Sequence, residues 1–110
     1  WVGFTHRLFD LPYIWKRAVI LQQRLPFRIP YSTSPSDRRI FDCMVEWAGF
    51  GRTISQKRLA AILGIPTKTN GLDGSQVFQA MQDGRHAEVG EYNVEDVTTV
   101  REMHRRMLFR

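Results

Sequence analysis

Tyr92 and Asp96 stand four residues apart in a stretch with helical periodicity, so their side chains share one helix face. Asp96 falls among apolar positions, with Tyr92 one turn before it and Val97 and Val100 after it. A carboxylate drawn away from water needs a cation or a hydrogen-bond donor to offset its desolvation. A solvated surface charge is the ordinary role of a lone helical Asp, and the neighbouring phenol sets this one apart. Asp10 is the second acidic candidate. It follows Phe9 at the start of a helix, just past a short strand. One reading is a first-turn carboxylate favoured by the helix dipole by about 0.3–1 kcal/mol. The other is a carboxylate at the C-terminal edge of a strand, where open α/β sheets hold their ligands. Asp42 ends a second short apolar run, where a structural hydrogen-bonding role stands beside a catalytic one.

Other reactive residue types offer less. His6, His86 and His104 share no metal-ligand spacing, which suits surface or capping roles. Cys43 is the only cysteine, which excludes an internal disulfide and any zinc site of several thiolates. It reads as a small buried hydrophobe. Trp15, Trp47 and Phe78 read as core, and Arg101, Arg105 and Arg106 as a solvated helix face.

The elements that must position these groups are few strands and many helices. Residues 1–5 read as a strand, and 6–23 as a helix whose regular part starts at Asp10 or Leu11. Pro12 fits only near a helix start, where its missing N–H costs nothing. Residues 25–37, rich in Pro, Ser and Thr, form a connector. A second strand over 39–42 runs into a helix over 43–48. Ser55 caps a helix over 55–63 that Gly64 and Pro66 stop. A turn-rich loop over 67–74 leads to a helix over 75–82. The longest helix, 87–108, carries Val89, Tyr92, Val97, Val100, Met103 and Met107 along one side. The class is α/β with much of the sheet absent.

A chain of 110 residues makes one domain, and 43% hydrophobic with 25% charged residues excludes a disordered tail. No apolar run is long enough to span a membrane. No targeting segment is visible, so the expected compartment is the cytoplasm. Sixteen Lys and Arg against eleven acids give a net charge of +5, which favours a polyanionic partner. The charge is uneven: residues 1–39 hold seven bases and only Asp10 and Asp37 as acids. Residues 88–96 hold Glu88, Glu91, Glu95 and Asp96 and no base.

The stretch Val2-Gly3-Phe4-Thr5-His6-Arg7-Leu8-Phe9-Asp10-Leu11-Pro12 resembles the second motif of the DEDD superfamily of 3′–5′ exonucleases, which have the ribonuclease H-like fold. Glu91-Tyr92-Asn93-Val94-Glu95-Asp96-Val97 resembles their third motif in its tyrosine form, Tyr-x-x-x-Asp. Between them, Gly71-Leu72-Asp73-Gly74-Ser75-Gln76-Val77-Phe78 is similar to the predicted exonucleases related to the proofreading domain of family-B DNA polymerases. The three blocks agree in order and spacing and together cover nearly the whole chain. The resemblance implies Asp10 and Asp96 as ligands of two divalent ions, Mg²⁺ or Mn²⁺, and Tyr92 as the group that orients the attacking water. It implies a single-stranded DNA or RNA 3′ end as partner, with Thr5, His6, Arg7 and Phe9 along the strand. Lys68 and Asn70, in the loop before Asp73, read as solvated loop residues, with contact to a nucleic acid strand as the alternative. The histidine subclass would place His where Glu91 stands. Two positions depart from the pattern: Thr5 stands where Asn is usual, and Asn93 where Cys is common. The first motif, Asp-x-Glu, is absent, so the resemblance implies that residues 1–110 are the C-terminal part of a ribonuclease H-like domain lacking its first strands. The Trp1 start inside an apolar strand carries the same expectation, together with self-association through that exposed strand.

Two rival readings remain at this point. Ser55 to Ile65 looks like the first helix and turn of a helix-turn-helix DNA-binding module, although the next helix starts too late for the usual turn. A degenerate exonuclease-like domain that binds nucleic acid or a partner without cleaving it is the other.

Overall fold

The computed structural model describes residues 1–30, 34, 36–67 and 71–110. They form two compact units, Trp1–Gln56 and Lys57–Arg110.

In the first unit, β1 (Val2–Gly3) pairs in parallel with β2 (Phe41–Asp42), Val2 opposite Phe41 and Gly3 opposite Asp42. Parallel strands require a crossover, and α1 (Asp10–Ile20) lies in it. The strand expected over 1–5 is cut short because Thr5 turns left-handed, at φ 61°. The Thr5 carbonyl then accepts from Leu8 N at 3.3 Å and from Phe9 N at 3.1 Å, which folds the chain towards the helix. The β2 strand starts late for a similar reason: Ile40 N donates back to the Asp37 carbonyl at 3.2 Å, so residues 37–40 turn. One edge of β1 is occupied by β2, so the N-terminal strand is not wholly unpaired.

Pro12 is the third residue of α1, within the turn whose N–H groups have no helical acceptor. Leu11 packs with Ile29 and Ile40, and Leu25 covers that cluster. The α2 helix (Cys43–Ala48) follows β2 directly and stops at Gly49, φ 89°.

In the second unit, α3 (Gln56–Ile62) begins on the residue before the boundary and buries Leu59 and Ala60. The helix expected over 75–82 divides into a 3₁₀ turn (Gly74–Gln76) and α4 (Val77–Gln82). The cause is a capping box. Asp73 accepts from Ser75 N at 2.8 Å, while the Gln76 side chain accepts from Asp73 N at 3.1 Å. The long helix α5 (His86–Met107) buries Thr99 and Met103. Tyr92, Asp96 and Val100 are half-buried on the same stripe, at helical spacings of three and four. Val97, expected on that side, is 63% exposed, because it is one residue, about 100°, away from Asp96. The polar residue thus lies on the inward stripe and the apolar one does not.

Helix α4 has six residues and neither Lys nor Arg. A recognition helix needs basic or polar side chains aimed at DNA, and this one offers Gln alone.

Candidate active site

Asp10 sits in the first turn of α1 and is exposed. Among the described residues, no side chain caps that helix. What fixes its start is the loop before it, and that loop is held by Asp42. Asp42 is completely buried. One carboxylate oxygen accepts from Thr5 N at 2.9 Å, Met44 N at 3.1 Å and Val45 N at 3.5 Å. The other accepts from Arg7 N at 3.0 Å and lies 3.5 Å from His6 Nδ1. Asp42 therefore caps α2 and clasps residues 5–7 at once. Leu11 N donates to the His6 carbonyl at 3.0 Å, which carries the clasp into the turn that holds Asp10. Burial pushes the Asp42 carboxyl up, but His6 and the backbone N–H groups of Arg7 and Thr5 outweigh it and hold it below its usual range.

His6 and Arg7, expected along a nucleic-acid strand, are inside the unit, at 7% and 1% exposure. The Arg7 guanidinium donates to the carbonyls of Ser34, of Asp37 at 3.2 Å and of Ile40 at 2.6 Å. A surface or capping role for His6 is likewise replaced by a place in the core, against Gly3: a Cβ on Gly3 would lie 2.5 Å from the His6 ring. Thr5 is half-buried. Phe9 is exposed and stacks on Tyr13, ring centroids 6.0 Å apart and planes 10° apart.

The second unit brings Tyr92 and Asp96 together on α5. Burial raises the Tyr92 phenol above its ordinary value, and the Asp96 carboxylate beside it and the Asp73 charge add to the rise. The phenol is therefore neutral at physiological pH, a hydrogen-bond donor rather than a base. A Cβ on Gly74 would lie 3.9 Å from the Tyr92 hydroxyl, so Gly74, within the block from Gly71 to Phe78, lies beside the phenol. The sequence marked that block by resemblance alone. Lys68 and Asn70 lie outside the described residues.

Two other features bear on chemistry. Burial, followed by the Asp42 charge, pushes the Cys43 thiol up to about 12, so it is no nucleophile. Among the described residues, no group of three or more His, Cys, Asp or Glu is placed to hold a metal ion. No helix of the described residues is long and apolar enough to cross a membrane.

The sequence profile of a family described as a predicted 3′-5′ exonuclease related to the exonuclease domain of PolB matches residues 1–109. No curated protein and no solved structure gives a significant match.

Proposed function

The chain belongs to this family of predicted 3′-5′ exonucleases, and on that premise we propose that it serves metal-dependent removal of nucleotides from the 3′ end of single-stranded DNA or RNA, in the tyrosine subclass of the DEDD superfamily. The observation that carries the subclass is Asp96 on the inward stripe of α5 with the neutral Tyr92 phenol one turn before it. In this reading Asp10 and Asp96 supply carboxylate oxygens, and Tyr92 holds a water by hydrogen bond. Thr5 and Phe9 face the strand, without Arg7 and His6, which are committed internally.

Mg²⁺ and Mn²⁺ are hard cations that take oxygen ligands, and when bound such a pair supplies an activated water and stabilises the leaving oxygen. Two carboxylates are too few to hold the pair, and the sequence contains no Asp-x-Glu. The proposal therefore requires further carboxylates beyond these two. The same shortage favours one second reading, a domain that binds a strand without cutting it.

Residues 1–110 alone are expected to be inactive, so the test uses the protein expressed from its whole reading frame and a 5′-labelled single-stranded oligonucleotide. The label is expected to shorten from the 3′ end only with Mg²⁺ or Mn²⁺, and Asp96→Asn is expected to abolish shortening without changing the circular dichroism spectrum. Retained activity in Asp96→Asn refutes the site, and binding without shortening selects the second reading.

A further inference from the structure

Residues 11–30 carry Lys16, Arg17, Arg24 and Arg28 and no acid at all. Within the first unit, this segment forms an open groove of about 420 Å³ between the end of α1 and the chain that follows it. Trp15, Val19, Leu25 and Phe27 line it, with Arg24 and Arg28 among them. Among the described residues, no carboxylate lines it. Trp15 is 41% exposed and Phe27 57% exposed. The Phe27 ring lies against the Trp1 ring, with centroids 5.8 Å apart in a tilted arrangement. Aromatic faces interleaved with guanidinium groups fit one kind of occupant well. Bases stack on the rings whatever their sequence, and the cations meet the phosphates.

We infer that this groove is a docking site for single-stranded nucleic acid, distinct from Asp10, Tyr92 and Asp96, with Trp15 and Phe27 as stacking surfaces and Arg24 and Arg28 as phosphate contacts. The choice of occupant rests on the exonuclease reading and on the charge of the lining. A peptide partner would find no counter-charge here for its own basic side chains. A strand gripped in this groove adds affinity that carries no sequence preference.

The test is binding in EDTA, so that no cleavage intervenes. A fluorescent thymidine oligonucleotide of about 12 residues matches the span of such grooves. Arg24→Glu with Arg28→Glu is expected to weaken binding at least tenfold. It is also expected to flatten the slope of log affinity against log salt by about 1.4, or about 0.7 for each phosphate no longer neutralised. Phe27→Ala is expected to weaken binding about fivefold or more, and an abasic strand of equal length is expected to be indifferent to Phe27→Ala. Thermal melting checks that each variant folds, and because Arg24 and Arg28 are exposed, the charge-reversed pair remains informative if Phe27→Ala does not. Unchanged affinity in the charge-reversed pair overturns the groove, whatever the nuclease assay gives. Binding to vesicles of phosphatidylcholine with phosphatidylserine, and not to the oligonucleotide, overturns it in favour of a lipid surface. Groove-dependent binding with no metal-dependent shortening supports the groove and removes the exonuclease reading alone.

Discussion

Asp42→Ala removes the acceptor for four backbone N–H groups, from Thr5, Arg7, Met44 and Val45. Thr5 and Arg7 are 37 and 35 residues away in sequence, so their bonds tie distant segments together. A hydrogen bond to a charged group contributes about 1.5–3 kcal/mol, and a buried donor left without a partner costs about 1–3 kcal/mol. Loss of the α2 cap alone costs about 1 kcal/mol. These contributions share one carboxylate and do not add fully, so the expected loss is about 3–5 kcal/mol, as when one partner of a buried charged network is removed. Against a total stability of about 5–15 kcal/mol, that is a large share. Urea unfolding followed by circular dichroism should show the midpoint falling by about 2 M, with Asp42→Asn falling between the variant and the wild type. A loss below about 1 kcal/mol for Asp42→Ala would refute the clasp.

The same carboxylate sets an acid limit. Folding lowers the Asp42 carboxyl below its ordinary value of 3.8. Its contribution is therefore complete above that value and is lost as pH falls through the lower folded one. Wild-type stability should drop on acidification below about pH 4 more steeply than that of Asp42→Asn. Parallel curves for the two proteins would place the clasp elsewhere.

Three further outcomes follow from single positions. Thr5 holds φ 61° with a β-branched side chain, and Asn tolerates that region better, so Thr5→Asn should raise stability by about 0.5–1 kcal/mol in urea titration even without the 3.4 Å approach of Thr5 Oγ1 to Met44 Sδ. Gly3→Ala puts a methyl 2.5 Å from the His6 ring and should cost about 1–3 kcal/mol; a neutral effect on the melting temperature would mean that His6 does not sit behind Gly3. Cys43 should be silent to a thiol reagent in the native protein and react fully in urea, since its thiol is buried and raised to about 12.

Local chemistry made the helices legible. Pro12 marked the start of α1, Gly64 marked a stop at φ 64°, and α2 spans Cys43–Ala48, the residues expected to be helical. The family, too, was legible from three short blocks. Long-range commitments were not. Arg7 reads as one more base in a basic segment until the chain brings the carbonyls of Ser34, Asp37 and Ile40 around it. Nothing within a few residues of Arg7 signals those partners. Val97 misled for a simpler reason: its hydrophobicity argued for the inward face, but Thr99, Val100 and Met103 fix the phase of α5 and turn Val97 outward.

The acidic residues divide by what already occupies their oxygens. Asp42 has three N–H groups on one oxygen and one on the other, so it has little capacity left for a cation, and displacing those donors would release residues 5–7. Asp73 is similarly engaged, by Ser75 and through the reciprocal bond with Gln76. Asp10 is different: it is exposed at a helix start, where no cap bond is made. A metal ligand needs an accessible lone pair in a fixed place, and in the proposed site the first unit would meet both needs by separating them. Asp42 supplies the fixed place through the clasp, and Asp10 supplies the accessible oxygen. Loosening the clasp should therefore damage any chemistry at Asp10 even where the protein stays folded. Asp42→Asn at low temperature, where its fold persists, should lower metal-dependent shortening at least tenfold, since small misplacements of reacting groups are costly. Full activity in that variant would separate Asp42 from the site and leave it a purely structural acid.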